Sequence, residues 1–181
     1  MAGQKLTQKT ALTEQTGSGD LFMVVDVSDT TSSADGTSKK FDSKFLLQTD
    51  KISLTNAEVL DLDSDEKTLV GALSGYMVVP YCVTMLGIYG ASTESARKDL
   101  IFGYSDTGLT HDSQYWSKIS DCMDTQTTNI TYCVGPVELG KAGTYSSSII
   151  NKPFIVYAEG TGFNGGWSCD IYVTYAYVKV L

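Results

Sequence analysis

The sequence has few of the side chains that most enzymes use for proton transfer and metal binding. Its 181 residues contain a single histidine, His111. The four cysteines, Cys82, Cys122, Cys133 and Cys169, form no CxxC pair and no zinc-type spacing with that histidine. Basic clusters are also missing. Only Lys39-Lys40 and Arg97-Lys98 stand as adjacent pairs, in a chain of formal charge -8. Holding a phosphate backbone requires grouped Lys and Arg that displace counterions, so nucleic acid is excluded as a partner. The acidic surplus reads as a solubility feature. No solenoid-length repeat occurs.

No run suits a membrane span. Thr68 to Thr93 carries no charge but includes Pro80, four glycines, Ser74, Tyr76 and Tyr81. This predicts two buried strands with a bend at Pro80, not a transmembrane helix. Met1 to Asp20 has no apolar h-region behind its lysines. A chain without a secretory leader, with buried, reduced thiols, is expected from that.

What is present is unevenly distributed. All eleven tyrosines and both tryptophans lie beyond residue 75, whereas the first 50 residues hold six Ser and eight Thr. An aromatic-rich body therefore follows a thin polar arm, residues 1–50. Within the arm, Asp20 to Val27 is a β-forming apolar run. The polar loop after it ends in the Asp35-Gly36 turn signal, and Lys39-Lys40-Phe41 returns as a second short strand. Asp42 or Ser43 caps a predicted short helix through Leu47. Residues 51–66 are expected to be a linker.

From residue 67 to 181, short runs of β-formers alternate with glycine-rich turns, which predicts an all-β sandwich of about seven or eight strands. Strands are expected near 67–73, 76–84, 85–90, 99–105, 129–134, 149–158 and 168–181. In the last of these, alternate residues point to opposite faces, and both sets are largely apolar. One set fills a core. The other, with Tyr172, Thr174, Ala176 and Val178, needs a second cover and is the candidate subunit interface.

Chemical motifs are weak. Asp61-x-Asp63-x-Asp65-Glu66 opens like a calcium loop, but Glu66 and Ala72 stand where an EF-hand needs Gly and Glu. It reads as a solvated acidic stretch. His111-Asp112-Ser113 lacks a nucleophile elbow and reads as a surface loop. Asp121 and Asp124 are a poor match for a glycosidase pair. Gly160 to Gly165 suits a connection between strands and not a dinucleotide fingerprint. Tyr115, Trp116 and Trp167 are the side chains that could stack on a sugar. The inventory predicts no enzyme and no cofactor.

Two segments resemble bacteriophage virion proteins. Leu6 to Thr16, Gly19 to Thr30 and Gly36 to Phe41 are similar to the N-terminal module of phage head-fibre and tail-fibre proteins. Lys67 to Pro80, Asn151 to Tyr157 and the closing Tyr-Val-Thr-Tyr-Ala-Tyr-Val strand resemble small jelly-roll-like β-sandwiches of capsid and tail appendages. The resemblance implies a short head fibre or capsid decoration, assembled in the bacterial cytoplasm and carried on the virion. It implies a homotrimer whose partners are other virion proteins, at the capsid or at the portal/tail vertex. Leu21, Phe22, Val24 and Val25 would then serve attachment. The alternative it implies is a tail-fibre module recognising host-surface glycan through Tyr115, Trp116 or Trp167. It transfers no catalytic residue.

Overall fold

A computed structural model describes residues 21–31, 34–42, 45–105, 115–136 and 149–180. The chain divides into two units, Met1–Leu46 and Leu47–Leu181. In the first, β1 (Leu21–Asp26) and β2 (Thr37–Asp42) pair antiparallel, from Leu21 opposite Asp42 to Asp26 opposite Thr37. Short polar side chains tie the connection between them. Asp26 Oδ1 accepts from the Ser28 amide at 3.0 Å, and Asp29 Oδ1 accepts from the Thr31 amide at 3.1 Å. Lys39 Nζ bridges both carboxylates, at 2.6 Å and 3.0 Å. Gly36 adopts φ +113°, and a Cβ there would stand 2.8 Å from the Asp26 carbonyl oxygen. The turn signal thus marks a position that only glycine fills without strain.

The second unit contains β3 (Gln48–Leu54), α1 (Asn56–Leu60), β4 (Lys67–Val70), β5 (Tyr76–Tyr89), β6 (Leu100–Tyr104), β7 (Tyr115–Ile119), β8 (Ile130–Val134), β9 (Phe154–Ala158) and β10 (Trp167–Lys179). Two four-stranded sheets result, in the orders β3-β10-β5-β8 and β4-β9-β6-β7, with antiparallel pairing throughout. The chain crosses from one sheet to the other at nearly every step. That alternation is the jelly roll, and the all-β jelly-roll expectation holds.

Three local expectations do not. Residues 51–66 are no linker: β3 is a full edge strand paired along β10, from Leu54 opposite Cys169 to Gln48 opposite Tyr175. The helix expected through Leu47 does not reach it: Phe45 stands in a 3-10 turn, Leu46 and Leu47 are not helical, and residues 43–44 lie outside the described ones. The described α-helix is α1, where Thr55 and Glu58 make a capping box, with the Thr55 amide donating to Glu58 Oε2 at 2.9 Å. In the charge-free run the division expected at Pro80 is missing: β5 continues from Tyr76 to Tyr89, after the end of β4. Proline cannot donate to a ladder and is tolerated in a central strand at a bulge. Here the register against β10 slips from Cys82 to Pro80, leaving Tyr81 as the extra residue.

The sandwich is filled from both inner faces. Ile52, Ile171 and Met85 form one cross-strand row; Leu54, Cys169 and Gly87 form the next. Phe102, Phe154 and Val156 face them from the other sheet. Tyr104 stacks edge-to-face on Phe154, with centroids 5.5 Å apart, and donates its hydroxyl to the Val78 carbonyl at 2.7 Å. β6 and β9 are buried on both faces, and Ile101, Ile155 and Tyr157 form a second cluster behind them.

Candidate interaction surfaces

The final strand divides as its alternation requires. Ile171, Val173 and Tyr175 enter the core, while Tyr172, Thr174, Ala176 and Val178 turn to the outer face of the β3-β10-β5-β8 sheet. Tyr172 and Val178 are exposed there and Thr174 and Ala176 half-buried. This face is graded. Towards α1 it is polar: Lys51 pairs with Asp170 at 2.8 Å, and Ser53 donates to the same carboxylate at 2.5 Å. The Lys51 bond holds the Asp170 carboxyl below its ordinary range and raises the Lys51 ammonium. Lys51 also lies 5.8 Å from the Tyr172 ring centre. At mid-sheet, the Thr49 and Thr174 hydroxyls share a 2.9 Å bond. Towards the other end Ala176 pairs with Val79, and the bulge presents Tyr81, which is 55% exposed. Tyr81 is the residue of this face that sequence reading misses. The signal was Pro80 inside a central strand.

The arm exposes more apolar surface still. Met23 is 82% exposed and Val25 56%, with Val27 beyond the strand and Val24 on the opposite face also exposed. Leu21 and Phe22 lie in β1, with side chains outside the described residues. Met23, absent from the predicted attachment residues, is the most exposed of the set.

The sugar-stacking expectation is overturned for both tryptophans. Trp167 is fully buried and meets Tyr89 edge-to-face at 5.2 Å; Trp116 is 8% exposed and stands against Phe154 at 5.5 Å. Trp167 sits on the inward phase of β10, whereas Trp116 is the extra residue where the register of β7 against β6 slips from Ser117 to Tyr115. Tyr115 begins β7, and its side chain lies outside the described residues, as does all of His111-Asp112-Ser113.

Three of the carboxylates singled out in the sequence have structural partners. Asp65 pairs with Lys67 at 2.5 Å, Glu66 accepts from Ser105, and Asp124 faces Arg97 at 3.7 Å. Among the described residues no cluster of three His, Cys, Asp or Glu is placed to hold a metal ion. Nor is any described helix long and apolar enough to cross a membrane.

One end of the sandwich is closed by loops that bond to one another. Glu94, between β5 and β6, is completely buried. Its Oε1 accepts from the Ser95 and Ala96 amides at 3.1 Å and 2.7 Å; its Oε2 accepts from the Asn164 and Gly165 amides at 2.9 Å and 2.8 Å. The Thr125 amide donates to the Glu94 carbonyl at 2.9 Å, and Asn56 Nδ2 donates to the Gly165 and Trp167 carbonyls at 2.9 Å. A Cβ on Gly165 would lie 2.8 Å from the Glu94 nitrogen, so glycine permits this approach. Sequence reading gave Glu94 no role.

No family model matches the chain. No curated protein matches it either. Among solved structures it is similar to a chain of the heated full particle of Israeli acute paralysis virus, at 11% identity and a TM-score of 0.29, over 96% of each chain. A chain of deformed wing virus, a honeybee pathogen, matches at 13% identity and a TM-score of 0.27, over all of this chain and 59% of the other. At such TM-scores neither neighbour bears on what this chain does.

Proposed function

We propose that this chain is a non-enzymatic bacteriophage virion protein, a short head fibre or capsid decoration that works as a homotrimer. The arm carries the reading. A two-stranded ribbon is marginal in water by itself, and this one leaves Met23, Val24, Val25 and Val27 uncovered. Exposed apolar side chains grouped on one short element mark a surface that another protein covers. In this reading the cover is a neighbouring virion protein, at the capsid or at the portal/tail vertex. The resemblance of residues 6–41 to phage attachment modules supports that choice of partner.

The jelly roll suits the outward-facing part, since capsid and lectin domains use this architecture. The architecture also hosts many unrelated functions, so the weight rests on the arm. The outer face around Tyr172, Ala176, Val178 and Tyr81 is the self-contact proposed for the trimer. Three joined arms would hold by avidity, because a second and third contact form at high effective concentration.

Replacing Met23, Val25 and Val27 together by serine in the full chain tests the attachment. Circular dichroism should remain that of the parent while incorporation into particles falls at least tenfold; undiminished incorporation would sink the assignment. Native mass spectrometry at micromolar concentration tests the assembly. A trimer that Val178→Arg dissociates is expected, and a parent protein that stays monomeric refutes it.

A further inference from the structure

The thiols fall into two classes. Cys122 and Cys169 lie in the core, where burial drives the first well above its ordinary value and the second up to about 12. Cys82 and Cys133 stand instead on the outer face of the sheet, half-buried and exposed, with their Sγ atoms 3.4 Å apart. The expectation of uniformly buried thiols fails for this pair.

We infer that Cys82 and Cys133 form a cross-strand redox latch, closing to an intramolecular disulfide in the presence of a small disulfide oxidant of the oxidised-glutathione class. The register places Thr84 of β5 opposite Cys133 of β8, so Cys82 is the diagonal neighbour on the same face. Regular ladders set diagonal partners far apart. Two features shorten the gap here. β5 carries its bulge at Tyr81, next to Cys82, and a bulge bends the strand and increases its twist. Among the described strands β8 is an edge strand paired with β5 alone, and it ends at Val134 with exposed Gly135 after it. A disulfide needs the sulfurs about 1.4 Å closer than they stand. An edge strand, held by one described neighbour and ending at Val134, allows that movement.

The exchange balances in two steps. The more exposed Cys133 loses its proton and attacks one sulfur of the oxidant, forming a mixed disulfide and releasing one small thiolate. Cys82 then loses its proton and attacks Cys133 Sγ, forming the Cys82–Cys133 bond and expelling the second small thiolate. Each thiolate takes up one proton, so two protein thiols are oxidised and one small disulfide is reduced to two thiols. Burial, then the adjoining Cys133, raises the Cys82 thiol, while the Thr84 hydroxyl opposes them. Cys82 is therefore the second sulfur to react. The bond would span 51 positions of sequence and fasten the edge strand to the sheet.

The test equilibrates the full-length protein in reduced and oxidised glutathione, blocks free thiols by alkylation and digests with trypsin without reduction. Cleavage after Lys67, Arg97, Lys118 and Lys141 separates the two cysteines, so the latch yields peptide 68–97 joined to peptide 119–141, with the alkyl group on Cys122 and none on Cys133. The oxidised protein should run as a single chain on a non-reducing gel and melt about 10 °C higher, as a loop of this length implies. Cys82→Ser and Cys133→Ser should each keep the melting temperature of the reduced parent and lose the rise. Separate alkylation of both thiols in the oxidised buffer, a lasting glutathione adduct on Cys133, or a bond only between chains would each overturn the latch.

Discussion

Glu94→Gln isolates how the loop end of the jelly roll is held. The carboxylate is completely buried and faces four backbone amides, two on each oxygen, at 2.7 Å to 3.1 Å. Glutamine keeps the shape but has one oxygen. Whichever way its amide turns, the NH2 group meets two N–H donors that already point at it, and two bonds are lost. Bonds to a charged acceptor contribute about 1.5–3 kcal/mol each. The loss is therefore roughly 3–6 kcal/mol, offset in part because the neutral side chain no longer requires burial of a charge. A net cost of about 3 kcal/mol is expected, against a total stability on the order of 5–15 kcal/mol.

Urea unfolding followed by the fluorescence of the buried Trp116 and Trp167 reads this directly. The midpoint should fall with an unchanged slope, and thermal melting should drop by roughly 10 °C. The shift must also act at a distance: Asn164 and Gly165 amides should gain hydrogen exchange together with Ser95 and Ala96, because one side chain ties both loops. A Gln variant within about 0.5 kcal/mol of the parent would refute the reasoning, since ordinary surface substitutions have effects of that size.

Two further predictions address the arm and the aromatics. The Lys39 bond, and the Ser28 bonds after it, hold the Asp26 carboxyl well below its ordinary range; the Thr31 bonds, then Lys39, do the same for Asp29. A depressed folded pKa means that the clasp contributes fully above the unfolded carboxylate value, near 4, and is lost as pH falls through the lower folded one. The Ser28 and Thr31 amide resonances should therefore titrate well below pH 4, and Lys39→Gln should move both midpoints upward; midpoints that stay put would remove Lys39 from the clasp. Trp116→Ala and Trp167→Ala should each destabilise by about 3–5 kcal/mol, read from melting curves. Parent-like stability in either variant would contradict its placement in the core.

The fold was legible where a residue's local chemistry agreed with its global role. The alternation from Ile171 to Lys179 marked both the inner and the outer face of β10, and the outer set lies where the pattern puts it. Asp35-Gly36 marked a turn whose glycine does adopt positive φ. Elsewhere one signal served two structures. Gln48 to Leu54 is too polar to read as a core strand because it is an edge strand, with Lys51 and Ser53 facing water and only Leu54 fully buried. Thr55-Asn-Ala-Glu58 carried its capping box in plain view, yet a helix of five residues leaves almost no periodicity to go with it. β7 was hidden by its length and by the polar run before it.

The same reasoning accounts for what sequence could not assign at the surfaces. Aromatic residues in short loops between strands suit either a sugar or a core, and only the phase of the strand decides. Trp116 is followed by Ser117, itself buried, so the strand shows no alternation there to set that phase. Glu94 was silent for a stronger reason. Its partners are main-chain amides from two loops far apart in sequence, and amides carry no residue type. The exposed dithiol was silent likewise, because it depends on the register of β5 against β8 and on a bulge beside Pro80. Side chains whose partners are other side chains nearby leave a pattern in the sequence. Those whose partners are backbone, or are set by register, become visible only once the strands are paired. A loop tie such as Glu94 and a surface pair such as Cys82 and Cys133 are therefore the features of this chain that only a folded structure discloses, and both are open to direct measurement.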